Sequence, residues 1–159
     1  MLPPSLVWMG HNVSELRRIR HESVGSEASS EEASTDSGVQ AVVKDLRLTP
    51  RLSTREHALL DHYVWDMKLA LGEASRVLRS GGRAVYVVGE STVRGTFIRN
   101  SAIVTAVAES HGLSLVSRQS RTLPSNRRYL PPPKRDADEA AMDGRMTREV
   151  VLVFKKSAA

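Results

Sequence analysis

The stretch from Leu71 to Ser91, LGEASRVLRSGGRAVYVVGES, constrains the fold of this chain more than any other segment. It combines the end of a helical pattern, a Gly-Gly turn and the uniformly apolar run AVYVV, which stops at a Gly-Glu-Ser corner. A run of this kind is typical of a central parallel strand that is covered on both faces. In open α/β sheets, ligands gather outside the carboxyl ends of such strands. We therefore expect an α/β fold with candidate contacts at Gly89, Glu90 and Ser91.

The regions on either side of this stretch predict further elements. Ser53 and Glu56 fit a capping box that begins a helix, and Ser80-Gly81-Gly82 ends it. A second helix is predicted from near Thr96 to His111, and strands are predicted over residues 113–123 and 148–154. No helix joins the last two strands, so we expect them to be antiparallel neighbours.

Two segments lack periodicity and are predicted to be loops. Residues 23–38 are acidic and serine-rich, with four acidic residues and no Lys or Arg. Such a segment buries too little apolar surface to offset its ordering entropy, so we interpret it as a mobile loop. Residues 124–146 form a second, long, basic and proline-rich loop.

Composition limits the classes of function. The 159 residues suffice for a single domain, and the absence of cysteine excludes disulfides and thiolate sites. No apolar run is long enough to span a membrane, and the N-terminus lacks the pattern of a secretory signal, so we expect no membrane association and a cytoplasmic location. The net charge of +5 is compatible with nucleic acid as a partner, but many basic proteins bind none.

The order of these elements resembles a known family. The phrase RVLRSGGRAVYVVGES, followed by a helix, a strand and REVVLVFKK, resembles the C-terminal half of class I S-adenosylmethionine-dependent methyltransferases. In that fold a Gly-Gly phrase leads into the fifth strand, and the sheet closes with antiparallel sixth and seventh strands. The segments SLVWMGHNVSELRRIR and LPSNRRYLPPP resemble the enzymes that methylate exocyclic amino groups of DNA bases, at N4 of cytosine or N6 of adenine.

The resemblance implies a single partial methyltransferase-like domain over residues 1–159. Its fold would be an incomplete Rossmann-like sheet that ends in an antiparallel hairpin, with helices on both faces. The implied cofactor of the completed enzyme is S-adenosylmethionine, and the implied partners are DNA and a complementary N-terminal methyltransferase chain.

Two parts of the family pattern are missing from this sequence. No glycine-rich turn of the Phe-x-Gly-x-Gly kind is present to hold the cofactor. The pair Pro3-Pro4 lacks both the preceding amine acceptor and the following aromatic ring of the catalytic loop. We therefore assign no catalytic residue and no metal ligand, and we expect this chain alone to be inactive and to bind the cofactor weakly.

The candidate site residues each have two interpretations. Gly89, Glu90 and Ser91 are either substrate contacts or a structural corner. The set Asn126, Arg127, Arg128 and Tyr129 combines charge with a stacking ring, and it is either a nucleic-acid contact or a solvated loop.

Three functions follow from these interpretations. The chain is a fragment or subunit of a methyltransferase that acts on DNA amino groups, and is an enzyme only when it is completed. Alternatively, it is a non-catalytic module of the same fold that binds nucleic acid or a partner. A third interpretation is a gene remnant with an exposed sheet edge.

Overall fold

The computed structural model describes residues 10, 12–21, 23, 30–47, 52–93, 96–123 and 148–157. The helices are α1 (Val13–His21), α2 (Glu31–Thr35), α3 (Ser37–Asp45), α4 (Thr54–Val77) and α5 (Asn100–Ser110). The strands are β1 (Arg83–Gly89), β2 (Ser91–Val93), β3 (Thr96–Ile98), β4 (Leu113–Thr122) and β5 (Arg148–Lys156). The fold is thus a mixed α/β arrangement. No helix among these residues has both the length and the apolar character needed to cross a bilayer.

The main sheet has three strands in the order β1-β5-β4. Strand β5 pairs antiparallel with both neighbours, so β1 and β4 run parallel to each other with β5 between them. The predicted antiparallel pairing of the last two strands is confirmed, and β5 is the interior strand that its apolar sequence predicted. Strands β2 and β3 form a separate antiparallel hairpin directly after β1.

Helices α2 to α5 pack together on one face of this sheet. Helix α5 packs on β1, β4 and β5, and α4 packs on α5. The buried side chains of β5 that face these helices are Val150, Leu152 and Phe154.

Among the described residues, nothing covers the opposite face of the sheet at β1. Val85 and Val87 of β1 are 62% and 54% exposed there. The prediction that helices cover both faces is therefore wrong for the described residues, and β1 is not the covered central strand that its sequence suggested. The apolar sequence of β1 is suited to burial on both faces, but the described helices bury only one of them.

Helix α4 begins at the predicted capping box. Ser53 Oγ accepts from Glu56 N at 3.4 Å, and Glu56 Oε2 accepts from Ser53 N at 2.8 Å. After the helix, Gly81 has a φ of 71°, the left-handed conformation that only glycine adopts readily. The Lys156 side chain donates to the carbonyls of Ser75 and Leu78 at 2.6 and 2.9 Å, so it caps the end of α4. Lys156 is therefore a structural residue, although it lies at the end of the last strand.

Two elements differ from the predicted boundaries. The second long helix begins at Asn100, because residues 96–98 belong to the β2–β3 hairpin. Composition predicted a loop over residues 23–38, but the structure forms helix α2 inside this segment and starts helix α3 at its end. Ser30 and Asp36 cap these two helices, and Ala33 and Val39 are fully buried. The caps and the two buried side chains stabilise both helices, and the overall composition of the segment does not predict either effect. The predicted loop at 124–146 lies outside the described residues.

Candidate functional site

The carboxyl end of β1 is where the sequence placed the candidate residues Gly89, Glu90 and Ser91. The structure keeps them together beside the first turn of α5. Asn100 Nδ2 donates to the Gly89 carbonyl at 2.9 Å and to Ser91 Oγ at 3.1 Å. A backbone carbonyl can only accept, so this contact defines the orientation of the Asn100 amide. The corner is therefore held to α5 by hydrogen bonds.

Glu90 is engaged by protein groups rather than left free. Its carboxylate accepts from Ser101 N at 3.2 Å and forms a short hydrogen bond with Ser101 Oγ. Arg118 Nη2 donates to Ser101 Oγ at 3.0 Å and lies 4.0 Å from Glu90 Oε1. The residue before α5, Arg99, provides no side-chain cap, so Glu90 satisfies an exposed amide of the helix from another element. The geometry favours a structural role for Glu90.

A pocket of about 150 Å³ lies next to this corner, between α4, the hairpin and the start of α5. Its lining is mainly apolar, with polar atoms on one side. The described lining residues are Leu52, Glu56, Leu59, Leu60, Tyr63, Ser91, Ile98 and Asn100. Ser91 is the candidate residue that the structure places in the pocket wall.

Tyr63 is a titratable group of this pocket with a shifted pKa. Burial, and to a lesser extent the negative charge of Glu90, raises the pKa of Tyr63 above its usual value. The phenol is therefore protonated at neutral pH and well above it.

Arginines collect along the same edge of the sheet. The exposed Arg99 precedes α5, and the exposed Arg148 begins β5. Arg118 and Arg121 lie near the carboxyl end of β4, where they contact Glu90 and Glu149. Positive charge therefore exceeds negative charge in this group.

Sequence reasoning missed several residues of this site. Tyr63 was not among the candidate residues, and Asn100 fell inside the longer helix predicted from Thr96 to His111. The pair Asn100-Ser101 is a helix-start signal that would have moved that boundary. The other candidates, Asn126, Arg127, Arg128 and Tyr129, lie outside the described residues and stay predictions.

The pocket beside the β1 corner is too small to hold the whole of S-adenosylmethionine. A pocket of about 150 Å³ is smaller than typical small-molecule sites of roughly 300–1,000 Å³. None of the described His, Asp and Glu residues forms a cluster of three that could hold a metal ion. The described part of the chain thus offers a small pocket and a basic edge.

Comparisons with known proteins add limited information. No protein-family model matches this chain, and no curated protein matches it. Two crystal structures of one Thermus thermophilus protein, described as a proposed DNA modification methylase, resemble it in part. The selenomethionine derivative has 19% identity and a TM-score of 0.44, covering 61% of this chain and 38% of that one.

The second structure is the complex with S-adenosyl-L-methionine. It has 15% identity and a TM-score of 0.48, covering 77% of this chain and 51% of that one. Likenesses of this strength do not assign a family. The chain spans 38% and 51% of the lengths of the two structures.

Proposed function

We propose that this chain is the C-terminal part of an S-adenosylmethionine-dependent methyltransferase that acts on amino groups of DNA bases, and that it is inactive alone. The observation that carries the proposal is the strand order β1-β5-β4. A strand after a Gly-Gly turn is joined through α5 to a parallel strand, and the last strand returns antiparallel between them. This arrangement matches the closing part of the sheet that the sequence resemblance implies.

The open side of the sheet supports the idea of a missing portion. The edge of β1 that faces away from β5 has no strand partner among the described residues. Uncovered apolar faces of this kind are stabilised by contact with another polypeptide layer. We infer that another layer adds to β1 and covers Val85 and Val87.

The polarity of the open face indicates where that layer belongs. On the β4 side, this face carries the polar residues Ser114, Ser117 and Gln119, with one exposed apolar residue, Val116, at the bulge. On the β1 side they are Val85 and Val87, opposite Val153 and Val151 of β5. The apolar part of the face is therefore continuous with the unpaired edge of β1.

A second copy of this chain would not cover the open face of the sheet. If two β1 edges paired antiparallel in one sheet, the valines of both copies would lie on the same uncovered face. The partner that fits is a different polypeptide that supplies both an edge strand and an apolar helix. The complementary N-terminal half of the enzyme has this character.

The cofactor would be held by that other half. The sequence contains no Phe-x-Gly-x-Gly turn, and the pocket beside β1 is too small for the whole cofactor. The residues of this chain at the carboxyl end of β1 would help to position the reactants. The arginines along the same edge would contact DNA phosphates.

Complementation tests this proposal. The polypeptide encoded directly upstream of Met1, provided that it carries Asp/Asn/Ser-Pro-Pro-aromatic, is combined with this chain, and transfer of labelled methyl groups to DNA is measured. We expect activity from the mixture and none from either chain alone. Micromolar binding of S-adenosylmethionine to this chain alone, measured by calorimetry, would contradict the proposal.

Matched variants locate the contact between the two halves. The double variant Val85→Lys/Val87→Lys places charges on the apolar part of the open face and is expected to abolish complementation. Ser114→Lys/Gln119→Lys places the same two charges on the polar part of that face and is expected to have no effect. Equal loss in both variants would show that the valines are not the contact.

The basic edge favours a second candidate function, a non-catalytic module that binds nucleic acid. The double variant Arg99→Ala/Arg148→Ala removes two exposed charges that have no described role in the fold. If the module interpretation holds, DNA affinity falls steeply with salt, falls further in this variant, and does not respond to S-adenosylmethionine. DNA affinity that depends on the cofactor or on the upstream chain would favour the enzyme instead.

A further inference from the structure

The amino end of β1 carries a group of polar residues at the other end of the sheet from Gly89 and Ser91. We propose that Arg83, Lys155 and the serines beside them form a binding site for a phosphate group, carried either by inorganic phosphate or by a small phosphate monoester. The site is separate from the corner at the carboxyl end of β1, so it does not rest on the proposed function.

Two cations meet on neighbouring strands at this end of the sheet. Arg83 of β1 and Lys155 of β5 are direct partners in the antiparallel register. Their side chains therefore leave the same face, with Cβ atoms roughly 4.5–5.5 Å apart, and like charges at such positions destabilise a sheet. Both residues are exposed, and neither forms an ion pair with another described residue. An anion bound between them would remove this repulsion.

Serine hydroxyls lie beside Lys155. Ser114 of β4 is the partner of Lys155 on its other side, so the row Arg83–Lys155–Ser114 crosses all three strands of the main sheet. The Ser114 hydroxyl lies 3.5 Å from that of Ser157, and the Ser80 hydroxyl lies 3.5 Å from the Ser157 carbonyl. These distances exceed the roughly 2.7–2.8 Å of ordinary O–H···O hydrogen bonds, so the three hydroxyls can still donate to a ligand.

An open groove of about 450 Å³ joins these groups. Its described lining includes Ser80, Ser114, Val116, Lys155, Lys156 and Ser157, and none of the described lining residues is acidic. Lys156 Nζ is engaged by the carbonyls at the end of α4, so Lys155 supplies the ammonium group for an anion. The volume falls within the range of small-molecule sites, roughly 300–1,000 Å³, so the groove can also take the organic part of a monoester.

These groups favour a tetrahedral dianion over other anions. Ammonium and guanidinium groups form charge-assisted hydrogen bonds with phosphate oxygens, and serine hydroxyls can donate to the remaining oxygens. A carboxylate offers only two oxygens in one plane and carries a single negative charge. We therefore expect phosphate to use more of these donors than acetate does, and to bind more tightly.

Titration of inorganic phosphate into the full chain tests the site, at an ionic strength held constant with sodium chloride. Protein-observed NMR locates the binding, and we expect the largest amide shifts at Ser114, Lys155 and Ser157, with little change at Gly89 or Arg148. Acetate is the comparison anion and is expected to bind at least about fivefold more weakly. Phenyl phosphate distinguishes the two sources: tighter binding than that of inorganic phosphate indicates a monoester, and equal or weaker binding indicates the free ion.

Charge-removing variants assign the binding to this row of residues. Lys155→Gln and Arg83→Gln each remove one exposed cation, and each is expected to weaken phosphate binding by about threefold to fivefold. The double variant is expected to weaken it by about tenfold or more. Lys44→Gln removes an exposed lysine of α3 and is expected to leave binding unchanged.

Thermal denaturation gives a second readout and shows whether the variants fold. Without phosphate, Lys155→Gln removes the repulsion from Arg83 and is expected to melt at or above the Tm of the parent chain. Excess phosphate is expected to raise the Tm of the parent chain, because a ligand that binds only the folded state stabilises it. The same phosphate concentration should raise the Tm of Lys155→Gln by less.

The proposal is overturned if phosphate does not bind, if acetate binds as tightly as phosphate, or if the amide shifts occur only at the opposite edge of the sheet. It is also overturned if Lys155→Gln and Arg83→Gln both bind phosphate like the parent chain. All of these measurements use this chain without cofactor, DNA or a second polypeptide, so their outcome is independent of the complementation test.

Discussion

At the scale of single residues, charged groups in this chain act by satisfying the ends of helices. Glu90 accepts from an amide of α5, and Lys156 donates to the last carbonyls of α4. Asp36 has two such roles at once. It accepts from Val39 N at 2.9 Å as the cap of α3, and it accepts from Lys68 Nζ of α4 at 2.6 Å. Local sequence predicts a cap of this kind, but not the lysine 32 positions away that completes it.

The Asp36 contacts predict a pH-dependent contribution to stability. The hydrogen bond from Lys68, followed by that from the Val39 amide, lowers the pKa of Asp36. Since the pKa in the folded state lies below that in the unfolded state, the stabilisation is complete above the ordinary carboxyl pKa of about 4 and is lost as pH falls through the folded-state value.

We therefore expect Asp36→Ala to lower the free energy of unfolding by about 1–2 kcal/mol at pH 7 and by clearly less near pH 2.5. Urea denaturation at the two pH values measures this difference. Asp45→Ala, at an exposed acid near the end of the same helix, is the control and should change stability by less than about 0.5 kcal/mol. A cost of Asp36→Ala that is equal at both pH values would contradict the assigned ion pair.

At the scale of elements, the Gly-Gly turn shows why the phrase before β1 requires its glycines. Gly81 N donates to the Lys156 carbonyl at 3.1 Å, and Lys156 N donates to the Gly82 carbonyl at 2.9 Å. The turn is thus held against the end of β5, which fixes where β1 starts. The sequence predicted a helix end at this position, while the role of β5 in holding it depends on a contact between residues far apart in the chain.

A methyl group at Gly82 is expected to be costly. An added Cβ would lie 2.8 Å from the Arg79 carbonyl oxygen and 3.2 Å from a Leu78 methyl carbon, so the backbone must shift. We expect Gly82→Ala to lower the free energy of unfolding by about 1–3 kcal/mol. Ser80→Ala, at the exposed position two residues earlier, should change it by less than about 0.5 kcal/mol. Thermal or urea denaturation compares the two, and equal stability would mean that the turn adapts without cost.

At the scale of the whole molecule, the part of the chain that the structure describes packs one face of the sheet and leaves the other open at β1. Leu152 of β5 is fully buried under the helices, and Val87 of β1 is 54% exposed on the opposite face. These two apolar residues on paired strands therefore differ in what they contribute. Burial on the helix side stabilises this chain, while the open side is available to a partner.

This asymmetry predicts opposite outcomes for similar substitutions. Leu152→Ala should lower the free energy of unfolding by about 2–5 kcal/mol, because it leaves a cavity in the core. Val85→Thr/Val87→Thr should change it by less than about 1 kcal/mol, since each exposed substitution costs about 0.5 kcal/mol or less. The double variant should also bind less of a fluorescent hydrophobic dye than the parent chain. Unchanged dye binding would mean that the open valines are not an accessible apolar surface.

The sequence by itself determined the local features: the capping box at Ser53, the glycine turn, the apolar strands and the antiparallel return of the last strand. These depend on propensities and spacings within a few residues. Tertiary structure decided which face of β1 is covered, which polar groups meet Glu90 and Asn100, and that Tyr63 lines a pocket. Those outcomes depend on contacts between residues far apart in the chain, and an apolar strand has the same sequence pattern whether one face or both are buried.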